Sequence, residues 1–253
     1  RLGRNLLAGL VNSGLAALVA LAATPGYLHY LGIERYGIVG VFVTLQALLS
    51  LLDMGLSPTL NREVARATSS GEWAPARGLM AGLERLNGML AAAMLALLLA
   101  GAPWLAGHWL RPGSLDPAEL SAALAWMGLA VACRWPAGLY AGAINGAQRL
   151  ALSSSLASAY AMVSAGGALW LLASVESSLV VFFGWQAFAA AIYTLSLRAF
   201  AWRILGGPGA RPAWSELRRI WRFSAGMGLI ALTSVVFTQL DKVLLSRLLS
   251  LDG

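Results

Sequence analysis

The sequence RWPAGLYAGAINGAQR, residues 134–149, comes directly after Leu120–Cys133, a run of apolar and small residues without a single charge. Arg134 therefore stands where a membrane-spanning helix would be near its middle. A guanidinium at that depth costs at least about 2.5–3.5 kcal/mol, so it normally faces a protein interior or a wet cavity. Small and polar residues follow at helical spacing: Gly138, Ala141, Asn145 and Gln148. This stripe predicts the lining of a cavity inside a bundle of membrane helices.

Composition supports the same class of protein. The chain has 253 residues, of which 58% are hydrophobic and 11% charged, whereas soluble domains carry about 25% charged residues. Apolar runs near twenty residues recur along the chain, which is typical of α-helical membrane proteins. The net charge of +7 would suggest nucleic acid in a soluble protein. Here the arginines lie mainly between apolar runs, as the positive-inside rule explains, so we expect no nucleic-acid partner.

The apolar runs predict an all-α membrane protein with about seven transmembrane helices. The predicted spans are Asn5–Leu31, Tyr36–Leu60, Leu79–Trp104, Ala118–Ala147, Ala151–Ala173, Leu179–Ile204 and Phe223–Leu249. We expect a loop over Asn61–Gly78 and a short amphipathic segment at the membrane interface over Trp214–Arg222. Most arginines would lie on the side of the N-terminus, so the N-terminus is predicted to be cytoplasmic.

Further polar residues inside the spans are candidates for binding or ion coupling. Asn12 lies on a small-residue face of the first span, and Gln46 and Asp53 share a polar stripe of the second. Asp53 could be a proton or cation site, or a structural partner of Arg134. Asp241 and Lys242 lie in the seventh span, where snorkelling to the interface is the alternative. Arg134 itself could pair with Asp53 or with a backbone carbonyl instead of binding a ligand.

Motifs of enzymes are absent from the sequence. We find no glycine-rich phosphate loop after a strand, no nucleophile with a matching base and no metal-ligand spacing. The two histidines, His29 and His108, are far apart in sequence and are not expected to bind a metal. We therefore expect neither an enzyme nor a cofactor.

A weak internal repeat suggests how the chain is divided. The pattern from Ala8 to Gly37, a helix followed by Leu-Gly-x-acidic, is echoed from Ala225 to Gly253. We predict a six-helix lobe over residues 1–205, a cytoplasmic interfacial linker over 206–222 and the first helix of a second lobe over 223–253. On this interpretation the chain is about half of a two-repeat transporter.

Several motifs together resemble a known family. They are Tyr30-Leu31-Gly32 with Tyr36-Gly37, LSLLDMGLSPTLNREVAR (49–66), WPAGLYAGAINGAQR (135–149) and RFSAGMGLIALTSVVFTQLDKVLLSRLLS (222–250). The chain resembles the Wzx-type polysaccharide and O-antigen flippases of the multidrug/oligosaccharidyl-lipid/polysaccharide exporter superfamily, and it matches their N-terminal half.

The resemblance implies two six-helix lobes around a V-shaped cavity in the bacterial inner membrane. It implies flipping of undecaprenyl-diphosphate-linked oligosaccharide by alternating access during polysaccharide and lipopolysaccharide biosynthesis. Partners would be this lipid-linked oligosaccharide, membrane lipids, and the polymerase and chain-length proteins of the same pathway. The expected substrate-binding residues are Arg134, Asn145, Gln148, Gln46 and Asn12. The coupling-ion or gating candidates are Asp53, Asp241 and Lys242.

Two other functions stay open. A cation-coupled multidrug exporter shares the fold, but its cavity would be expected to carry net acidic charge, unlike one that contains Arg134. A non-transporting membrane subunit of a polysaccharide assembly complex is the second alternative. A polymerase or ligase would need a large periplasmic loop, and the longest outer connection here is about Gly107–Asp116.

Overall fold

The computed structural model describes residues 2–51, 55–109 and 116–207. They form seven α-helices and a π-helical turn at Leu105–Trp109, with no strand within these ranges. The helices are α1 (Leu2–Leu51), α2 (Leu56–Ser70), α3 (Ala74–Trp104), α4 (Pro117–Arg134), α5 (Ala137–Gly146), α6 (Leu150–Ser174) and α7 (Leu179–Leu205). The predicted all-α class is confirmed.

Five helical stretches in the described ranges are long and apolar enough to cross a membrane. They are Gly14–Ala47, Ala74–Gly107, Pro117–Gly146, Leu150–Ser174 and Leu179–Leu205. The chain is a multi-pass membrane protein. The predicted interfacial segment and seventh span lie outside the described residues, and the division into lobe, linker and second lobe stays a prediction.

Helix α1 contains a sharp break at Gly32, where φ is 76° and ψ is 169°. A residue without Cβ adopts this conformation at little steric cost. On an unbroken helix, Thr24 and Tyr36 would be about 18 Å apart along the axis, yet their hydroxyl oxygens are 3.4 Å apart. The two arms of α1 therefore turn back toward each other, and they correspond to the first two predicted spans.

The predicted loop Asn61–Gly78 is wrong. Its first part belongs to α2, and α3 already begins at Ala74. Gly55 (φ 75°) precedes α2 and Gly71 (φ 79°) ends it, with the Gly71 N–H donating to the Ala67 carbonyl. The helix is amphipathic and buries Leu56, Thr59, Leu60, Val64 and Ala67. The second predicted span therefore does not continue to Leu60.

The fourth predicted span agrees with the stretch Pro117–Gly146, but its helix is interrupted. Helix α4 ends at Arg134 and α5 begins at Ala137, because Pro136 has no N–H to continue the helical ladder. Gln148 has a positive φ of 60° and turns the chain into α6. The stripe from Arg134 to Gln148 is therefore not one continuous helical face.

Helix α5 packs against α2 through its glycines. A Cβ at Gly138 would lie 3.3 Å from the Ser57 hydroxyl, and one at Gly142 would lie 2.8 Å from the Ser57 carbonyl oxygen. A Cβ at Gly146 would meet the Asn61 carbonyl even more closely. Gly142 and Gly146 thus allow close helix packing. The predicted stripe lies at other positions, of which Gly138 and Gln148 are exposed and Ala141 and Asn145 half-buried, so its role as a cavity lining stays a prediction.

Two apolar clusters fill the bundle, one above the other. The first joins residues of α2, α3, α5 and α7, such as Leu60, Leu83 and Leu197. The second joins the second arm of α1 with α4, α6 and α7, including Leu120 and Phe183. A set of polar and aromatic groups, of which Tyr193 belongs to the first cluster and Tyr160 packs against it, is called the polar layer: Asn87, Arg134, Trp135, Tyr160, Ser164, Gln186, Tyr193 and Thr194.

Candidate functional site

The polar layer is formed where α3, α4, α6 and α7 pass each other at membrane depth. Tyr160 is ten residues from the beginning of α6 and fourteen from its end, or about 15 Å and 21 Å at 1.5 Å per residue. The whole helix is therefore long enough to cross a hydrocarbon core of about 30 Å. Side chains at the level of Tyr160 lie far from both helix ends.

Arg134, the last residue of α4, is held by two aromatic rings. Its guanidinium carbon lies 5.0 Å from the ring centre of Tyr160 and 4.8 Å from that of Tyr193. The two rings are stacked, with centres 4.7 Å apart and planes at 26°. Arg134 is half-buried, and its two ring contacts bring α4, α6 and α7 together at this point. Both distances are within the range of cation–π attraction.

The rings can offset the cost of placing this charge in the membrane. One cation–π contact contributes about 0.5–1 kcal/mol when exposed and about 2 kcal/mol when desolvated. Two contacts are therefore comparable with an insertion cost of at least about 2.5–3.5 kcal/mol. They do not neutralise the charge, because the rings carry none.

No carboxylate in the described ranges forms an ion pair with Arg134. In the described ranges, none of the hydrogen bonds to side chains or to backbone carbonyls has an Arg134 N–H group as its donor. The proposed partner Asp53 lies outside the described residues. The remaining coupling candidates, Asp241 and Lys242, also lie outside them.

The other members of the polar layer form hydrogen bonds with one another or with the neighbouring backbone. The Trp135 indole N–H donates to Asn87 Oδ1 at 2.7 Å, and the Thr194 hydroxyl donates to the Cys133 carbonyl at 2.8 Å. Ser164 donates to Gln186 Oε1 at 3.1 Å. Asn87 is fully buried and its Nδ2 has no partner within the described part of the chain. These contacts fix helix packing.

A second polar cluster surrounds Glu84 of α3. Its carboxylate accepts from the Tyr140 hydroxyl and from the Trp202 indole N–H, each at 2.9 Å. It also forms an ion pair with Arg198 of α7. Its partners are 56 to 118 residues away, so no local spacing could have revealed them.

Of the remaining predicted binding residues, none forms a hydrogen bond with Arg134 within the described ranges. Asn145 Oδ1 accepts from Ser153 and links α5 to α6, while Gln148 is exposed in the turn between these helices. Asn12 Oδ1 accepts from Ser158 at 2.7 Å and ties α1 to α6. Gln46 is half-buried in the second arm of α1. Their role in substrate binding stays a prediction.

Sequence reasoning missed Tyr160 and Tyr193 as partners of Arg134. Nothing in the local sequence around Tyr160 or Tyr193 marks either residue as a partner of Arg134. We find no group of three or more His, Cys, Asp or Glu side chains able to hold a metal within the described ranges.

Comparison with known proteins yields one match. A family model described as "Polysaccharide biosynthesis protein" covers residues 2–252. No curated protein and no solved structure matches the chain. The family match extends over all seven helices and agrees with the resemblance drawn from the motifs. The chain belongs to the polysaccharide biosynthesis protein family.

Proposed function

We propose that this protein flips undecaprenyl-diphosphate-linked oligosaccharide across the bacterial inner membrane by alternating access, with its N-terminus in the cytoplasm. Family membership places the chain in polysaccharide biosynthesis, and its apolar helices make it a multi-pass membrane protein. Beyond family membership, we propose the cargo, the direction of its transport and the membrane in which the protein lies.

The observation that carries the proposal is the state of Arg134. It is a guanidinium at membrane depth, held by two neutral rings and unpaired with any carboxylate of the described residues. A charge of this kind in a membrane protein is a candidate functional group. A guanidinium is suited to diphosphate and carboxylate groups, because its N–H donors match two oxygens at once.

The same observation weighs against the two alternatives. An exporter of soluble cations would be hindered by an unneutralised positive charge in its binding region. A subunit that only organises an assembly complex has no evident need for a charge at this depth, whose insertion is costly.

A complementation assay tests the proposal. Variant genes with Arg134→Ala and Arg134→Lys are placed in a strain that lacks its own flippase, and surface polysaccharide is measured together with protein abundance in the membrane. We expect both variants to lose polysaccharide at normal abundance, because lysine keeps the charge but lacks the two-pronged donor. The matched control is Arg66→Ala, which removes an exposed arginine paired with Glu63 at 3.3 Å on α2.

The lipid-linked intermediate distinguishes a flippase from the alternatives. Flipping failure leaves the oligosaccharide-lipid accumulated on the cytoplasmic leaflet, whereas loss of an assembly subunit leaves it accumulated on the periplasmic leaflet. Full polysaccharide production with both Arg134 variants would contradict capture of the cargo by this residue.

A further inference from the structure

We infer that Tyr160 and Tyr193 are positioning residues that hold the Arg134 guanidinium by their ring faces and leave its N–H donors open to a two-oxygen anion. This inference rests on the proposed function and deepens it, since it names how the charge is presented. It concerns two residues that touch Arg134 and need not touch the cargo.

The three side chains come from three different helices. Arg134 ends α4, Tyr160 lies in α6 and Tyr193 in α7. The two ring centres and the guanidinium carbon are 4.7 to 5.0 Å from one another, so each group contacts the other two. Tyr193 is buried and Tyr160 half-buried, so packing limits the movement of both rings and, through them, of the guanidinium.

A ring contact differs from an ion pair because it does not use the N–H donors of the arginine. Arg35 and Arg198 each place a donor on a carboxylate, on Glu119 at 3.1 Å and on Glu84. The rings attract the positive charge of Arg134 through their π faces and need none of its five N–H groups. Because no described acceptor uses these donors, they are available for a bidentate contact.

The tyrosine hydroxyls are not what the arrangement depends on. Neither the Tyr160 nor the Tyr193 hydroxyl has a hydrogen-bond partner among the described residues. Both ring centres lie within 5.0 Å of the guanidinium carbon, and phenylalanine keeps the ring, so phenylalanine at either position keeps the holding surface. Leucine keeps apolar bulk and removes the π face.

Two parts of an oligosaccharide-lipid carry the anion that fits. One is the diphosphate of the carrier lipid, and the other is the carboxylate of an acidic sugar. Both present two oxygens to a planar guanidinium, so the experiment must separate them.

The test measures ligand binding by the purified chain with native mass spectrometry. The probe is geranylgeranyl diphosphate, with uncharged geranylgeraniol as the companion probe and glucuronate as competitor. We expect Tyr160→Leu and Tyr193→Leu to weaken diphosphate binding about tenfold, with geranylgeraniol binding unchanged. Phenylalanine at either position should restore binding to within about threefold of the wild type. The matched control is Tyr27→Leu, which removes a ring that contacts Phe182 at 5.2 Å instead of Arg134.

A double-mutant cycle separates positioning from general damage. If the rings act through the guanidinium, Tyr193→Leu should add nothing to the loss caused by Arg134→Gln. Competition by glucuronate would identify an acidic sugar as the source of the anion, and its absence would identify the diphosphate. The inference is overturned if the leucine variants bind the diphosphate like the wild type, if phenylalanine loses as much as leucine, or if geranylgeraniol binding falls equally.

The inference and the proposed function can fail separately. Loss of polysaccharide with Arg134→Ala but normal diphosphate binding by both leucine variants would leave the flippase proposal intact and refute the positioning role. Weak diphosphate binding by the leucine variants with full polysaccharide production by Arg134→Ala would support the positioning role and refute the flippase proposal.

Discussion

Substitution of Gly142 by alanine should destabilise the protein by pressing α5 away from α2. The new Cβ would lie 2.8 Å from the Ser57 carbonyl oxygen, 3.3 Å from its carbonyl carbon and 3.4 Å from its Cα. All three are backbone atoms of a helix, so no side-chain rotation relieves the contact. Overpacking of this kind costs about 1–3 kcal/mol, while alanine gains back about 0.5–1 kcal/mol of helix propensity over glycine. The difference of these two ranges is a net loss of up to about 2.5 kcal/mol, and we expect about 1–2 kcal/mol because all three contacts are with backbone atoms.

Gly138→Ala is the matched control on the same face of α5. Its Cβ would approach only the Ser57 hydroxyl, at 3.3 Å, and that hydroxyl can rotate away. Thermal unfolding of the purified chain in detergent measures both variants. We expect Gly142→Ala to lower the melting temperature by about 2–8 °C at about 2–4 °C per kcal/mol, and Gly138→Ala to change it little. Equal melting temperatures for Gly142→Ala and the wild type would refute the close approach of α5 and α2.

Three further substitutions test other contacts by the same thermal unfolding measurement. Glu84→Gln removes the charge from a carboxylate that accepts three donors, and we expect a loss of about 1–3 kcal/mol; unchanged stability would mean that these contacts do not persist in the membrane protein. Asn87→Leu leaves the Trp135 indole N–H without its acceptor and should cost about 1–3 kcal/mol, whereas a neutral result would indicate that the lone Nδ2 already cancels the benefit. Gly32→Ala places a side chain at φ 76°, where no atom is within 4 Å, so backbone strain alone should cost about 1–3 kcal/mol. The control Gly37→Ala is equally uncrowded and has no positive φ, so it should cost nothing. Equal effects of the two substitutions would contradict strain at Gly32.

The helical membrane class and the positions of the long apolar spans could be predicted from the sequence, because hydropathy over about twenty residues depends only on local composition. Helix α2 was missed for a related reason. Its apolar residues Leu56 and Leu60 extend the preceding run, so hydropathy alone merges it with the second span. The spacing of Leu56, Leu60, Val64 and Ala67 contained the missing signal, an amphipathic helix that follows a glycine.

The role of the stripe that begins at Arg134 could not be predicted from the local sequence. The interpretation identified small and polar residues, but a stripe of this kind suits close helix packing as well as a cavity wall. Which of the two occurs depends on the neighbouring helix. Here α2 packs closely on Gly142 and Gly146 beside the stripe, and Ser153 of α6 contacts Asn145 within it. The partners of Arg134 are similarly remote, since Tyr160 and Tyr193 belong to two later helices. Only tertiary packing brings them together.

Within the described spans, the ion pairs and hydrogen bonds of the charged side chains favour an anionic cargo over a cationic one. Export of a cation needs a carboxylate that is free to receive it, yet Glu84 is occupied by three donors and Glu119 by Arg35. Glu34 also makes an interaction, so no glutamate of the described spans is without a contact. Arg134 is different, because its charge rests on neutral rings and its donors meet no described acceptor. The described spans thus contain an arginine whose donors meet no described acceptor, which supports our proposal of a cargo that carries a diphosphate or an acidic sugar.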